Sequence, residues 1–170
     1  DMAKIAVPTD FLGVNYYIRH VVKHSANESG FETVQTNLER TDMGWEVYPQ
    51  GLYEQLLELK NDYGNPRVYL TENGGAFKDE VNSRGTVDDQ DRISYLEKYL
   101  QAVARARQDG ANVQGYFIWS LTDNFEWAEG YAKRFGIVHI DYATQKRTPK
   151  ASYYWYQKVV KEAGFNLAQS

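Results

Sequence analysis

The sequence lacks cysteine and long apolar runs, and both absences limit what the protein can be. None of its 170 residues is a cysteine, so disulfide bonds and thiolate metal sites are excluded. No apolar run approaches the roughly 18 residues that a membrane-spanning helix requires. No signal-peptide pattern opens the chain either. We therefore expect a cytoplasmic location and no membrane partner.

Acidic residues outnumber basic ones by a small margin. The chain has 19 Lys and Arg against 23 Asp and Glu, a formal charge of -4. No basic patch interleaved with aromatic residues is present, so nucleic acid is not an expected partner. The histidines His20, His24 and His139 lack the spacing of metal ligands. We expect no metal and no organic cofactor.

Aromatic residues, in contrast, are abundant. The chain contains 14 Tyr, 7 Phe and 4 Trp, which together make up 15% of it. One explanation is an aromatic-rich core. The other is a sugar site, in which ring faces stack on the apolar faces of pyranoses and polar groups bind the hydroxyls.

The stretch 68–75, Val-Tyr-Leu-Thr-Glu-Asn-Gly-Gly, carries the most information. Its first four residues favour a β-strand, Glu72 ends that strand, and Asn73 and two glycines turn the chain. An ionised carboxylate at the end of a strand must be paired, solvated or used in chemistry. Glu72 is therefore either a catalytic group or a strand-end salt-bridge partner, and the pattern alone leaves both open.

The apolar pattern predicts strands that alternate with helices. Strands are expected over 10–17, 68–72 and 113–120, with helices over 49–64, 89–110 and 149–163. Residues 135–141 and the turn residues 144–146 predict a small hairpin. The third strand has the apolar character of one buried on both faces, and the last helix is expected to bury Tyr153, Tyr156, Val159 and Val160. Segments 20–42 and 76–88 are long loops, functional or disordered. Strands separated by helices form parallel βαβ units, so we expect one α/β unit over residues 1–170.

Three parallel strands are too few for a closed barrel. A (β/α)8 barrel typically needs about 250 residues, and the outer strands of a three-stranded sheet present unpaired backbone groups. The predicted strands end in the polar or aromatic residues Asn15, Tyr17, Glu72, Asn73, Trp119 and Ser120. Parallel strands bring such ends to one edge, where α/β proteins place their sites. We expect a shared site there.

Two motifs carry a resemblance to a known family. They are Leu-Thr-Glu-Asn-Gly at 70–74 and Gly-Tyr-Phe-Ile-Trp-Ser-Leu-Thr-Asp-Asn-Phe-Glu-Trp at 115–127. Both resemble glycoside hydrolase family 1, the β-glucosidase family. Segments 10–17, 134–142 and 147–152 resemble the same family, so the resemblance covers essentially the whole chain. It implies the C-terminal portion of a (β/α)8 TIM barrel, about strands 6 to 8 with their helices.

The resemblance also implies roles for individual residues. Glu72 would be the nucleophile that forms a covalent glycosyl-enzyme intermediate, oriented by a hydrogen bond from Tyr17. The implied substrate-binding residues are Asn15, Trp45, Trp119, Glu126 and Trp127. In this scheme Trp119 is the platform under the sugar, Glu126 binds its O4 and O6 hydroxyls, and Trp45 walls the aglycone site.

Each of these roles has a structural alternative. Tyr17 can instead be a core tyrosine, Trp119 and Trp127 packing residues, and Trp45 a plug of its own loop. Asp123, Asn124 and Glu129 are interpreted as loop structure rather than as chemistry.

The sequence departs from the family in one important respect. A retaining glycosidase needs a second carboxyl group about 5–5.5 Å from the nucleophile, as acid and base. In this family that Glu lies in a Thr-x-Asn-Glu-Pro motif, which the sequence lacks.

We therefore expect a retaining β-glycosidase that hydrolyses terminal non-reducing β-D-glucosyl residues of β-glucosides or related oligosaccharides. The chain is expected to be inactive until a complementary N-terminal barrel segment supplies the missing acid. The alternatives are a non-catalytic sugar-binding module and a structural barrel fragment that pairs with such a segment or with itself.

Overall fold

The computed structural model describes residues 1–164 and assigns them to two compact units. Unit 1 comprises residues 1–38, 46–73 and 98–118, and unit 2 comprises residues 39–45, 74–97 and the described residues from 119 onward. The elements, in chain order, are α1 (Met2–Ile5), β1 (Leu12–Asn15), β2 (Val22–His24), β3 (Phe31–Thr33), α2 (Pro49–Asp62), β4 (Val68–Asn73), α3 (Gln90–Gln108), β5 (Val113–Ile118), β6 (Val138–Ile140), β7 (Arg147–Pro149) and α4 (Ala151–Glu162).

Unit 1 contains the three predicted strands as one parallel sheet in the order β1-β4-β5. Its middle strand buries Val68 and Leu70 completely or nearly so, and α2 buries Leu52 and Leu56. Helix α2 begins at Pro49, where a missing N–H costs no hydrogen bond. It ends before Gly64, whose φ of 73° suits the left-handed turn after a helix.

Unit 2 is built around the β6–β7 hairpin and the start of α4. The strand β6 is buried along its whole length, and the antiparallel hairpin appears where the sequence predicts it. Gly136, just before β6, approaches the loop after β5 closely, because a Cβ there would lie 2.2 Å from the backbone nitrogen of Asp123. Only glycine fits such a backbone contact.

The structure corrects three expectations. The segment 20–42 is not loop throughout, since β2 and β3 pair in it as an exposed antiparallel hairpin. Strand β5 is not buried on both faces, because Gln114 is exposed and Phe117 is 56% exposed. Helix α4 does not bury Val160, which is 62% exposed.

Two further expectations concern the protein as a whole. No described helix combines the length and the apolarity that a membrane crossing demands. A cytoplasmic location and a single domain over residues 1–170 stay predictions.

Candidate active site

A β-bulge sets the direction of Glu72 at the end of β4. Val14 pairs with Leu70 but Asn15 pairs with Glu72, and on the other side the register shifts between Leu70 and Asn73. In this stretch β4 therefore has one residue more than each neighbouring strand. Regular alternation would put Glu72 on the buried face of Leu70. Because the bulge breaks that alternation, Glu72 is half-buried and Asn73 is 0% exposed.

The Glu72 carboxylate receives a hydrogen bond from Tyr17. The phenol hydroxyl donates to Oε2 of Glu72 over 2.7 Å, and a hydrogen bond to a charged acceptor is shorter and stronger than a neutral one. Among the ion pairs of the described residues, none includes Glu72. The structure thus brings Tyr17 and Glu72 together, and the residues that it describes supply no basic partner for a strand-end salt bridge.

Asn15 lies opposite Glu72 in the β1–β4 pairing. Its Oδ1 accepts a hydrogen bond from the Thr71 hydroxyl over 2.7 Å. Val14 and Tyr16 are buried while Asn15 is exposed and Tyr17 half-buried, the alternation of faces that an extended chain produces.

Trp119 belongs to unit 2 and directly follows the last residue of β5. It is half-buried, and its peptide bond to Ser120 is cis. Gly74 approaches it closely, since a Cβ on Gly74 would lie 2.0 Å from the Trp119 carbonyl oxygen. Glycine is therefore required at position 74 by a backbone contact within unit 2.

Glu126 and Trp127 lie in a tight turn of unit 2. The Glu126 N–H donates to the Gly130 carbonyl over 2.7 Å, and the Glu126 carbonyl accepts from the Glu129 N–H over 2.8 Å. Trp127 has a φ of 40° and is 83% exposed. The role of Trp127, in sugar binding or in packing, stays a prediction.

Trp45 packs on Phe135 in unit 2. The two rings are tilted by 52° with centroids 5.9 Å apart, and Trp45 is half-buried. Phe135 is buried and was not among the predicted site residues. Both the aglycone wall and the local plug remain compatible with this contact.

Unit 2 contains a buried cluster of charges that the sequence did not predict. Three acids and three bases form this six-charge network, namely Asp79, Asp89, Asp123, Arg92, Arg134 and Lys150. Arg134 has 21% of its side chain exposed, and the other five side chains have at most 1%. Equal numbers of both signs make the network neutral overall, as burial requires.

Lys150 and Arg92 link the acids of the six-charge network. Lys150 Nζ donates to Asp79 and, over 2.8 Å, to Oδ1 of Asp123. The Arg92 guanidinium binds both oxygens of Asp79, over 2.9 and 2.7 Å, and also contacts Asp89. Burial and the nearby Arg92 charge lower the pKa of Lys150, against the opposing effect of Asp79 and Asp123.

Asp123 joins the six-charge network to the loop after β5. Besides Lys150, its carboxylate accepts from Arg134 over 2.6 Å and from the backbone N–H groups of Gly136 and Ile140 over 3.1 and 3.3 Å. These contacts agree with the interpretation of Asp123 as loop structure. One signal in the sequence could have indicated the network. Arg92 lies one helical turn before the buried Leu96 and three residues after Asp89, so an arginine occupies the apolar face of α3 beside an acid.

Unit 2 also has an open cavity of about 410 Å³. Its wall includes the aromatic rings of Phe125, Tyr131 and Tyr142 and the amides of Asn124 and Gln145. Aromatic and amide side chains are groups that bind sugars. Within residues 1–164, no group of three or more His, Asp or Glu side chains is arranged to hold a metal ion.

Comparison with known proteins gives a consistent result. The model of the family described as "Glycosyl hydrolase family 1" matches residues 1–165. The "1,4-beta-D-glucan glucohydrolase" of Thermotoga neapolitana is 52% identical over 165 residues, which are 96% of this chain and 37% of that protein. "Beta-glucosidase A" of Thermotoga maritima is 50% identical over 96% of this chain and 37% of its own length.

A solved structure agrees with these relatives. The "Family 1 b-glucosidase from Thermotoga maritima" superposes with a TM-score of 0.95 at 49% identity, over 98% of this chain and 38% of that one. The chain thus spans somewhat more than a third of the proteins that it matches. These neighbours confirm the predicted fold class, the C-terminal part of a (β/α)8 barrel.

Proposed function

Because the chain belongs to glycosyl hydrolase family 1, we propose that it supplies the nucleophile of a retaining β-glycosidase. The substrate class is terminal non-reducing β-D-glucosyl residues of β-glucosides or related oligosaccharides. The observation that carries the proposal is the Tyr17–Glu72 hydrogen bond of 2.7 Å at the bulged end of β4.

In the proposed reaction Glu72 attacks the anomeric carbon of the sugar. The bond from that carbon to the glycosidic oxygen breaks, and a carboxylic acid outside this chain protonates the leaving oxygen. Water then releases the sugar from the glycosyl-enzyme, with the same external group acting as base. Since Tyr17 holds Oε2, we assign the attack to Oε1 of Glu72.

Sugar binding is assigned to the side chains that the family resemblance implies. Trp119 is the proposed platform for the sugar ring, and Glu126 and Trp127 are the proposed partners of its hydroxyls. The backbone bonds that hold the Glu126 turn support this role, because a preorganised acceptor loses little entropy on binding. Asn15 and Trp45 are assigned to the sugar and to the aglycone.

The missing acid is assigned to a complementary N-terminal barrel segment. The curated relatives are much longer than this chain, and the sequence lacks the acid/base motif. Strands β1 and β5 are the edges of the described sheet, and the large apolar side chains of Phe11 and Phe117 are exposed. Exposed strand edges favour pairing with further strands. We expect the isolated chain to have little or no hydrolytic activity.

Mixing experiments test this function. The chain is assayed with 4-nitrophenyl β-D-glucoside, alone and together with a separately expressed N-terminal segment of the Thermotoga maritima relative. We expect hydrolysis only in the mixture, and its loss in the Glu72→Gln variant. The exposed Glu129 provides the matched control, since Glu129→Gln should keep the activity. Normal turnover by the chain alone would contradict the proposal, as would an active Glu72→Gln mixture.

The cavity of unit 2 favours a second candidate, a sugar-binding module without catalysis. Its aromatic and amide wall, with Tyr131, Tyr142 and Asn124, suits a saccharide. Titration with D-glucose, followed by tryptophan fluorescence, would detect such binding. Saturable binding without any covalent sugar on Glu72, in a mixture incubated with a slowly hydrolysed fluoroglucoside, would favour the module over the enzyme.

A further inference from the structure

Asn73 is a buried amide that follows Glu72 directly. Its Nδ2 donates to the carbonyl oxygen of Tyr16 over 2.7 Å, and its Oδ1 accepts from the Tyr116 hydroxyl. The two partners define the orientation of the amide, since the reversed amide would set Oδ1 against the Tyr16 carbonyl. One side chain in β4 is thus bonded to residues on both neighbouring strand segments.

The Asn73 contact fixes the peptide that leads into Tyr17. The carbonyl of Tyr16 and the nitrogen of Tyr17 belong to the same planar peptide unit. The N–H of Tyr16 is held as well, because it donates to the Glu72 carbonyl over 3.0 Å. Both backbone polar groups of Tyr16 are therefore bonded to the consecutive residues Glu72 and Asn73.

These contacts run from Glu72 and Asn73 to the backbone of Tyr16, and from there through Tyr17 back to the Glu72 carboxylate. From the fixed peptide the Tyr17 side chain reaches back, and its hydroxyl donates to Oε2 of Glu72. We call the five residues Tyr16, Tyr17, Glu72, Asn73 and Tyr116 the phenol–amide cluster. The bulge in β4 makes these contacts possible, since it buries Asn73 while leaving its neighbour Glu72 half-buried.

We propose that Asn73 and Tyr116 are positioning residues, which aim Glu72 by fixing the backbone from which Tyr17 reaches it. Asn73 is 0% exposed, so its role is to orient and not to touch a substrate. The inference rests on the proposed function only in calling Glu72 the nucleophile. The geometric part of it, that Asn73 and Tyr116 control the Tyr17–Glu72 contact, is testable in the chain by itself.

The first readout is the carboxylate signal of Glu72 in the full chain. Chain labelled with 13C at glutamate Cδ gives one resonance per Glu, and Glu72→Gln identifies the signal of interest. Tyr17→Phe shows where that signal moves when the hydrogen bond is lost. We expect Tyr116→Phe, which removes only the hydroxyl, to move the signal in the same direction. Tyr53→Phe is the matched control, because it removes a hydroxyl that donates to Asp109 instead.

A second variant separates positioning from loss of structure. Asn73→Leu keeps a similar volume but removes the donor to Tyr16 without adding a charge beside Glu72, and the same shift is expected. In the active mixture described above, both variants should lower kcat by about tenfold or more, since small misplacements of reacting groups are costly, with a much smaller change in KM. Circular dichroism checks that each variant is folded.

The outcomes are decisive for the proposal. A Glu72 signal that stays unshifted in folded Tyr116→Phe and Asn73→Leu chains would overturn it, and so would unfolding of both variants, which indicates a purely structural role. If the signal shifts as expected while the wild-type mixture does not hydrolyse glucosides, the positioning holds and the proposed function fails.

Discussion

The two polar clusters of this chain are built on opposite principles. The phenol–amide cluster in unit 1 holds one carboxylate, Glu72, through the neutral Tyr17 phenol, and the Asn73 amide and the Tyr116 phenol add further neutral hydrogen bonds. The six-charge network in unit 2 pairs every buried acid with a base. A neutral hydrogen-bond donor orients a carboxylate without neutralising its charge, so the carboxylate can still react. In the balanced network every charge is paired, and the pairs hold chain segments together.

The two clusters should therefore respond differently to substitution. A neutral hydrogen bond contributes about 0.5–1.5 kcal/mol net to folding stability. Removal of one partner from a buried ion pair costs about 3–5 kcal/mol, because it leaves an uncompensated charge. Deleting a side chain of the six-charge network is therefore expected to cost about four times as much as deleting a neutral hydrogen bond.

The largest effect is expected for Lys150→Met. This change removes the cation shared by Asp79 and Asp123 and should lower the free energy of unfolding by about 3–5 kcal/mol. Urea denaturation followed by circular dichroism measures it. Lys158→Met is the control, since Lys158 is exposed and its ion pair with Glu162 is long, at 4.0 Å. Equal stabilities of the two variants would contradict the assigned importance of the buried charges.

A smaller effect is expected for Tyr16→Phe in unit 1. The Tyr16 hydroxyl donates to the Tyr48 carbonyl over 3.0 Å. Burial and the neighbouring Tyr99 raise the pKa of Tyr16, so its hydroxyl remains a donor at neutral pH. Its removal should cost about 0.5–1.5 kcal/mol of unfolding free energy in the same urea assay, whereas Tyr63→Phe, at an exposed position, should cost nothing measurable. A loss as large as that of Lys150→Met would contradict the expected difference between a neutral hydrogen bond and a buried ion pair.

The smallest effect is expected from pH, through His139 in unit 2. Burial and the Arg134 charge lower the pKa of His139 in the folded chain below its usual value of about 6.5. Between these two pKa values the unfolded chain binds more protons, so stability falls as pH falls through that window. We expect the urea midpoint to drop between pH 7.5 and 5.5, and less so in His139→Gln. His20→Gln, which changes an exposed histidine, should leave the pH dependence intact.

Much of the fold was predictable from apolar periodicity. Buried residues such as Leu52, Leu56 and Leu70 repeat at helical or strand spacing, so the sheet, the helices α2 to α4 and the β6–β7 hairpin follow from the sequence. The β2–β3 hairpin was missed because its short strands are exposed on both faces and carry no periodicity. Val160 was misplaced because the apolar stripe of α4 extends past the part of the helix that is covered.

The candidate site was likewise predictable from the sequence only in part. A carboxylate, an amide and two glycines after a strand indicated Glu72 from local sequence alone. Nothing local indicates that Tyr116 bonds to Asn73, 43 residues away, or that Lys150 bonds to Asp79, 71 residues away. Such pairs are set by the three-dimensional path of the chain, which single-residue chemistry does not reveal. The roles of Asn15, Trp45, Trp119, Glu126 and Trp127 stay predictions.

The bulge in β4 has a consequence for how this chain tolerates insertions and deletions. A strand whose alternation is reset at one point has two phases, one that packs Val68 and Leu70 and another that packs Asn73. Deleting Thr71 would remove the extra residue of β4 and the hydroxyl that donates to Asn15, so every contact after Leu70 would have to form from a regularly alternating strand. Length in this short stretch is thus as restrictive as residue identity, whereas the exposed β2–β3 turn has no comparable phase to keep.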